Sequence, residues 1–176
     1  MVAMATILVG VLGAVGQHNI KMILSIHIIS QVGYIFAGFA MFTVSSVGAA
    51  IFYLVHNIIV KSNLFLVAGI TKAIHGTDRL KDMGGIAKLH PMLATAFFIS
   101  AFSMAGLPPL SGFWAKFGLL ESSIDGEYWW TATFILVVSF FTLLSMIKIW
   151  LAAFWQPMPE SSVCIESERS DLKLKD

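Results

Sequence analysis

No aspartate or glutamate occurs before Asp78, and within the first seventy residues only Lys21 and Lys61 carry a full charge. A stretch so poor in charge cannot cover its surface with groups that water accepts, so hydrocarbon is its natural solvent. The rest of the composition agrees. Charged residues make up 12% of the chain, against about 25% in soluble domains, and the mean hydropathy is +0.84. The net charge of +1 leaves no basic footprint for nucleic acid. The single cysteine, Cys164, lies in a polar tail and builds neither a disulfide framework nor a metal cluster. No nucleophile–base pair and no flavin, quinone, cluster or other cofactor motif is visible.

Five apolar segments separate along the chain, at about 1–17, 22–42, 47–71, 91–120 and 128–155. The first, short and glycine-rich, lacks the basic start of a secretory signal, and further hydrophobic segments follow it, so it reads as a span. A polar hinge, 72–90, precedes Pro91, which suits the first turn of a helix. The residues from Gln156 to 176 read as a polar, disordered tail. The fold class expected is therefore an all-α polytopic bundle of about five helices in which short connections join antiparallel neighbours. A soluble five-helix bundle would need a polar outer face on each helix, and these segments have none. Lys21, the hinge residues Lys72, Arg79, Lys81 and Lys88, and the tail all fall on one side of such a bundle. The positive-inside rule makes that side cytoplasmic.

Several polar groups sit where hydrocarbon should be. Lys61 lies near the middle of the third segment, in VHNIIVKSNLFLVAGI. An ammonium there costs roughly 2.5–3.5 kcal/mol even on the insertion scale, and both interfaces are roughly 20 Å away by helical rise. Such a residue is a functional candidate by default, and a lysine taken out of water is able to exchange its proton. Asn57 shares its face at i−4. His56 points elsewhere and is either a proton relay or an ordinary histidine bonded to a neighbouring helix. In the fourth segment, SMAGLPPLSGFWAKFGLL, Pro108 and Pro109 break the helix, with Gly106 and Gly112 on either side. Irregular backbone at that depth is tolerated only when buried in protein or lining a wet cavity, and Lys116 follows the break within about two turns. Lys148 lies near the end of the last segment and is able to snorkel. Lys21 is either an anchor or a point of proton entry. His27, Ser30 and Gln31 give the second segment a polar stripe. No membrane-depth carboxylate accompanies these cations, so a complete relay needs one from elsewhere.

Five motifs, QHNIKMILSIHIISQVGYIFAG, VHNIIVKSNLFLVAGI, TDRLKDMGGI, MAGLPPLSGFWAKF and SMIKIWLAAFW, run in order through nearly all of residues 1–155. Together they resemble the antiporter-like family shared by the Mrp-type multisubunit Na+/H+ antiporters and the proton-pumping membrane subunits of complex I. His27, SNLFLVAG and the KIW–FW ending favour the Mrp branch. The resemblance implies a second five-helix repeat, with Lys61 on a central hydrophilic axis, Lys116 on the broken helix near an exit channel, and Lys21 at the start of the repeat's second helix. Asn57 stands where histidine is frequent. The family's first repeat, with its glutamate–lysine pair, is absent from this chain, which reads as a partial gene product, a fragment or a split subunit, inactive alone.

The function expected is the proton-translocating part of a monovalent cation (Na+)/H+ antiporter in the plasma membrane, working with the other subunits of its complex. The alternatives are a proton-pumping subunit of a complex I-type NADH:quinone oxidoreductase and a non-transporting scaffold.

Overall fold

The structure, a computed structural model, describes residues 1–157. The tail expected beyond Gln156 lies outside the described residues except for Gln156 and Pro157. Helices α1 (Val2–Val15), α2 (Ile20–Met41) and α3 (Val44–His75) come first. A 3-10 turn (Leu80–Asp82) and the short α4 (Ile86–Leu89) follow. Then come α5 (Pro91–Ala105), α6 (Ser111–Asp125) and α7 (Trp129–Ile149), the last running into a π-helical turn, Trp150–Trp155. Three helical stretches, Ile20–Met41, Val44–His75 and Trp129–Trp155, are long and apolar enough to cross a membrane, and Val2–Val15 and Pro91–Ala105 are shorter apolar helices. The fourth segment is two helices, α5 and α6, separated by a turn that contains the cis Pro108–Pro109 bond.

Local chemistry sets the ends. The Asn19 side chain accepts from the Lys21 and Met22 amides at 3.1 and 3.3 Å and so caps α2. Thr43 and Ser46 form a reciprocal capping box that starts α3 before the apolar run itself begins. At its other end α3 continues through Lys72 and His75, cations in the last turn that suit the helix dipole, until Gly76 turns left-handed at φ 71°. The hinge is consequently more ordered than its polar sequence indicates. Leu80, Met83 and Ile86 are buried in the core, and the ring of His75 bonds the Gly84 carbonyl at 3.0 Å.

The long helices close into a ring. Helix α1 packs on α2, α2 on α3, α3 on both halves of the broken helix, those halves on α7, and α7 on α1. Phe97, Trp150 and Phe154 stack to pin α5 to the end of α7, with 4.6 Å between the two phenyl centroids. At the α1–α2 crossing, Gly10 sits against the Ser30 backbone and Gly33 against that of Ile7, so a Cβ at either would overlap main chain. Small residues at such crossings let helices approach where no hydrophobic force drives them together. Gly33→Leu is therefore expected to push α1 off the ring and destabilise the fold by about 1–3 kcal/mol, read as a lowered midpoint of thermal unfolding in detergent.

Candidate functional site

The polar side chains of α2, α3 and the broken helix converge inside the ring. Lys61, 8% exposed, donates to the Leu24 carbonyl of α2 at 2.9 Å. Beside it, Gln31 and Asn57 line a cavity of about 200 Å³ together with Lys61. The cavity's other walls, Ile28, Val32, Leu54 and Ile58 among them, belong to the outer face of α2 and α3. The Tyr53 hydroxyl donates to the Gln31 side-chain carbonyl. The Tyr53 ring lies 5.4 Å from that of Tyr34 and 6.0 Å from the His56 imidazole. The ammonium of Lys116 stands 5.2 Å from the Tyr34 ring centroid, a cation–π contact. These residues lie along one line from Lys61 through Gln31 and Tyr53 to Tyr34 and Lys116, with His56 as a branch. Its last two steps are ring contacts, since the Tyr34 hydroxyl turns to α7 and donates to the Ile135 carbonyl at 3.2 Å. His27 of α2 is fully buried.

The broken helix shapes the far end of this line. Gly106 ends α5 in the left-handed region at φ 91°, leaving the last carbonyls of α5 without helical partners. Lys116 takes one of them, donating to the Ala105 oxygen at 3.1 Å. The negative pole of α5 thus faces an ammonium that no carboxylate pairs with among the described residues. On the other side of the break, Leu110 gives α6 no side-chain cap. Ser103 serves instead, accepting from the Gly112 amide at 3.4 Å and meeting the Ser111 hydroxyl at 3.3 Å. Ser111 Oγ lies 2.9 Å from His56 Nδ1. A Cβ at Gly112 would strike the Ser103 carbonyl, so the close approach of α6 to α5 requires glycine there.

Lys61, His56, Lys116 and the helix break are therefore brought together, whereas Lys21 and Lys148 are not. Lys21 lies at the bundle end, 3.7 Å from Asp78, which also pairs with Lys72 at 2.6 Å. Lys148 donates to the carbonyls of Val15 and Gln17 at 3.1 and 2.6 Å, so it caps the C-terminus of α1. Tyr34, Tyr53, Ser103 and Ser111 are additions that the sequence did not announce. The two tyrosines carried a usable signal, since a buried phenol needs a partner for its hydroxyl. Among the described residues, no group of His, Cys, Asp and Glu gathers that could hold a metal.

The model of the NADH:quinone oxidoreductase/Mrp antiporter transmembrane family matches residues 1–142. The chain belongs to that family. The D-type Na(+)/H(+) antiporter subunit of Alkalihalophilus pseudofirmus is 53% identical over 150 residues, covering 85% of this chain and 30% of the relative. The N-type NADH-quinone oxidoreductase subunit of Moorella thermoacetica is 33% identical over 160 residues, 91% of this chain and 34% of the relative. The Mrp complex from Dietzia sp. DQ12-45-1b contains a chain that superposes with a TM-score of 0.87 at 46% identity, over 90% of this chain and 30% of that one. The chain thus spans about a third of the length of the relatives it matches.

The capping role of Lys148 is open to test. Lys148→Met leaves the Val15 and Gln17 carbonyls unpaired and is expected to destabilise the fold by about 1–3 kcal/mol. The denaturation midpoint in detergent should fall, and Lys148→Arg should recover most of the loss.

Proposed function

We propose that this chain forms part of the proton path of a multisubunit monovalent cation (Na+)/H+ antiporter of the Mrp type, in partnership with the other subunits of that complex. The observation that carries this reading is the polar line between two ammonium groups inside an otherwise apolar ring. A cavity shared with Gln31, the Tyr53–Gln31 hydrogen bond and the ring contacts of Tyr53, Tyr34 and Lys116 lie between the two, and His56 with Ser111 joins the helix break. Buried polar atoms beside it, both nitrogens of His27 and Gln31 Nε2, have no protein partner among the described residues. An unsatisfied buried polar atom costs about 1–3 kcal/mol, so this density of them suits a hydrated path and not a sealed core. Lys61 is the central protonation site, His56 with Ser111 a side relay, and Lys116 the gate at the break. The 53% identity to an antiporter subunit supports the Mrp reading over the complex I-type proton pump, whose relative stands at 33%.

In the complete complex, Lys61→Ala and Lys116→Ala are each expected to reduce cation-dependent proton exchange in everted vesicles at least tenfold, removal of a proton carrier being worth about 10²–10⁴ in rate. Assembly, followed by co-purification of the other subunits, should be unchanged. Full exchange with either alanine in place would leave only a scaffold role.

We assign the hinge and the side of the bundle that carries it to the cytoplasm of a cell whose plasma membrane holds the protein, because the loop lysines and arginine gather there. In a Cys164→Ser background, Lys88→Cys should react with an impermeant maleimide in everted vesicles and be protected in intact cells. The reverse pattern would invert the orientation.

A further inference from the structure

At the hinge end of the bundle the turn between α1 and α2 and the segment after α3 run side by side. The Ile20 amide donates to the Asp78 carbonyl at 3.0 Å, the Leu80 amide donates to the His18 carbonyl at 3.0 Å, and Asn19 and Arg79 form an antiparallel bridge. Leu80 is buried and pins this pairing to the core, which turns the exposed Arg79 and Lys81 outward on either side of it. The result is a cleft of about 380 Å³ lined by Gln17, His18, Asn19, Arg79 and Lys81. Among the described residues no carboxylate lines it. The neighbouring Asp78 pairs with Lys21 and Lys72 and not with the cleft's Arg79 and Lys81.

We propose that this cleft binds the phosphodiester headgroup of an anionic membrane lipid. Two cationic side chains and an imidazole converge on a concave, polar site whose frame is held by backbone hydrogen bonds, so little order has to be gained on binding. Arginine in particular presents paired donors to phosphate oxygens. A free phosphate shares that chemistry, but the position of the cleft favours a lipid. Leu12, about one turn before the end of α1, and Met22, in the first turn of α2, are both about half exposed. On the two helices whose connecting turn lines the cleft, they offer apolar surface for acyl chains. Basic clefts between spans at the membrane surface are a recurrent mode of lipid recognition. The site is separate from the polar line between Lys61 and Lys116 and does not depend on the transport reading.

The test uses the full chain in detergent, titrated with phosphatidylglycerol and, in parallel, phosphatidylcholine, with bound lipid counted by native mass spectrometry. Phosphatidylglycerol should be retained in preference. An Arg79→Gln, Lys81→Gln double variant should bind it on the order of thirtyfold more weakly, given the typical contribution of a basic residue near an anionic surface. Lys88→Gln, at a hinge lysine outside the cleft, should change nothing. Arg79→Lys with Lys81→Arg keeps the charge and should keep most of the binding, which separates loss of the site from loss of the fold. Equal retention of the two lipids, or an equal loss in Lys88→Gln, would overturn the proposal. Displacement of the lipid by a large excess of inorganic phosphate would overturn the lipid assignment in favour of a free-anion site.

Discussion

Two ammonium groups are held inside this bundle by backbone carbonyls, Lys61 on Leu24 and Lys116 on Ala105, and among the described residues neither forms an ion pair with a carboxylate. Removing an ion from water costs several kcal/mol even after the protein relaxes, and a single neutral acceptor offsets only part of that. The two solutions differ in strength. Ala105 closes α5, so its oxygen belongs to a helix end that carries roughly half a negative charge. Leu24 lies in the first half of α2, where the carbonyl is already committed to the helix and offers only its second lone pair. Lys116 therefore leans on the backbone, whereas Lys61 depends more on the cavity that Gln31 and Asn57 share with it.

The interruption of the fourth span follows from the same demand. An unbroken helix would have satisfied the Ala105 carbonyl internally and left Lys116 with nothing to face. The prolines remove two amides, Gly106 supplies the left-handed turn, and Gly112 lets the second half approach the first. The break also frees amides at the start of α6, which Ser103 answers across the gap while Ser111 meets His56. The negative pole of one half-helix thus serves Lys116, and the positive pole of the other lies beside the imidazole of α3. Changes of charge at either group are felt at the joint between the halves.

What could be read in the sequence were the groups expensive to place in lipid. Lys61, Lys116 and the proline pair stand out because hydrocarbon makes each of them costly, and the all-helical class follows from the scarcity of charge. Their partners could not be read, because a backbone carbonyl belongs to every residue and leaves no mark in the sequence. The phenols of Tyr34 and Tyr53 signal only that each hydroxyl needs a partner, and aromatic rings in apolar segments are commonplace whether they face lipid or line an axis, so which partner each finds could not be read. Lys148 has the same chemistry as Lys116 and a comparable depth in its segment. Only the packing of α7 on α1 decides that it caps a helix end.

Carbonyl-held lysines have a kinetic consequence for any path that uses them. A buried carboxylate at hydrogen-bond distance would bind an ammonium tightly, and breaking such a pair leaves an uncompensated charge worth about 3–5 kcal/mol. A proton passed along that pair would meet a barrier of similar size at each step. Neutral carbonyls, phenols and amides interact more weakly, and conduction requires sites favourable enough to enter and weak enough to leave. The line from Lys61 through Gln31 and Tyr53 to Lys116 is built from weak sites throughout. Among the described residues along it, no carboxylate pairs with either lysine to deepen one of those sites.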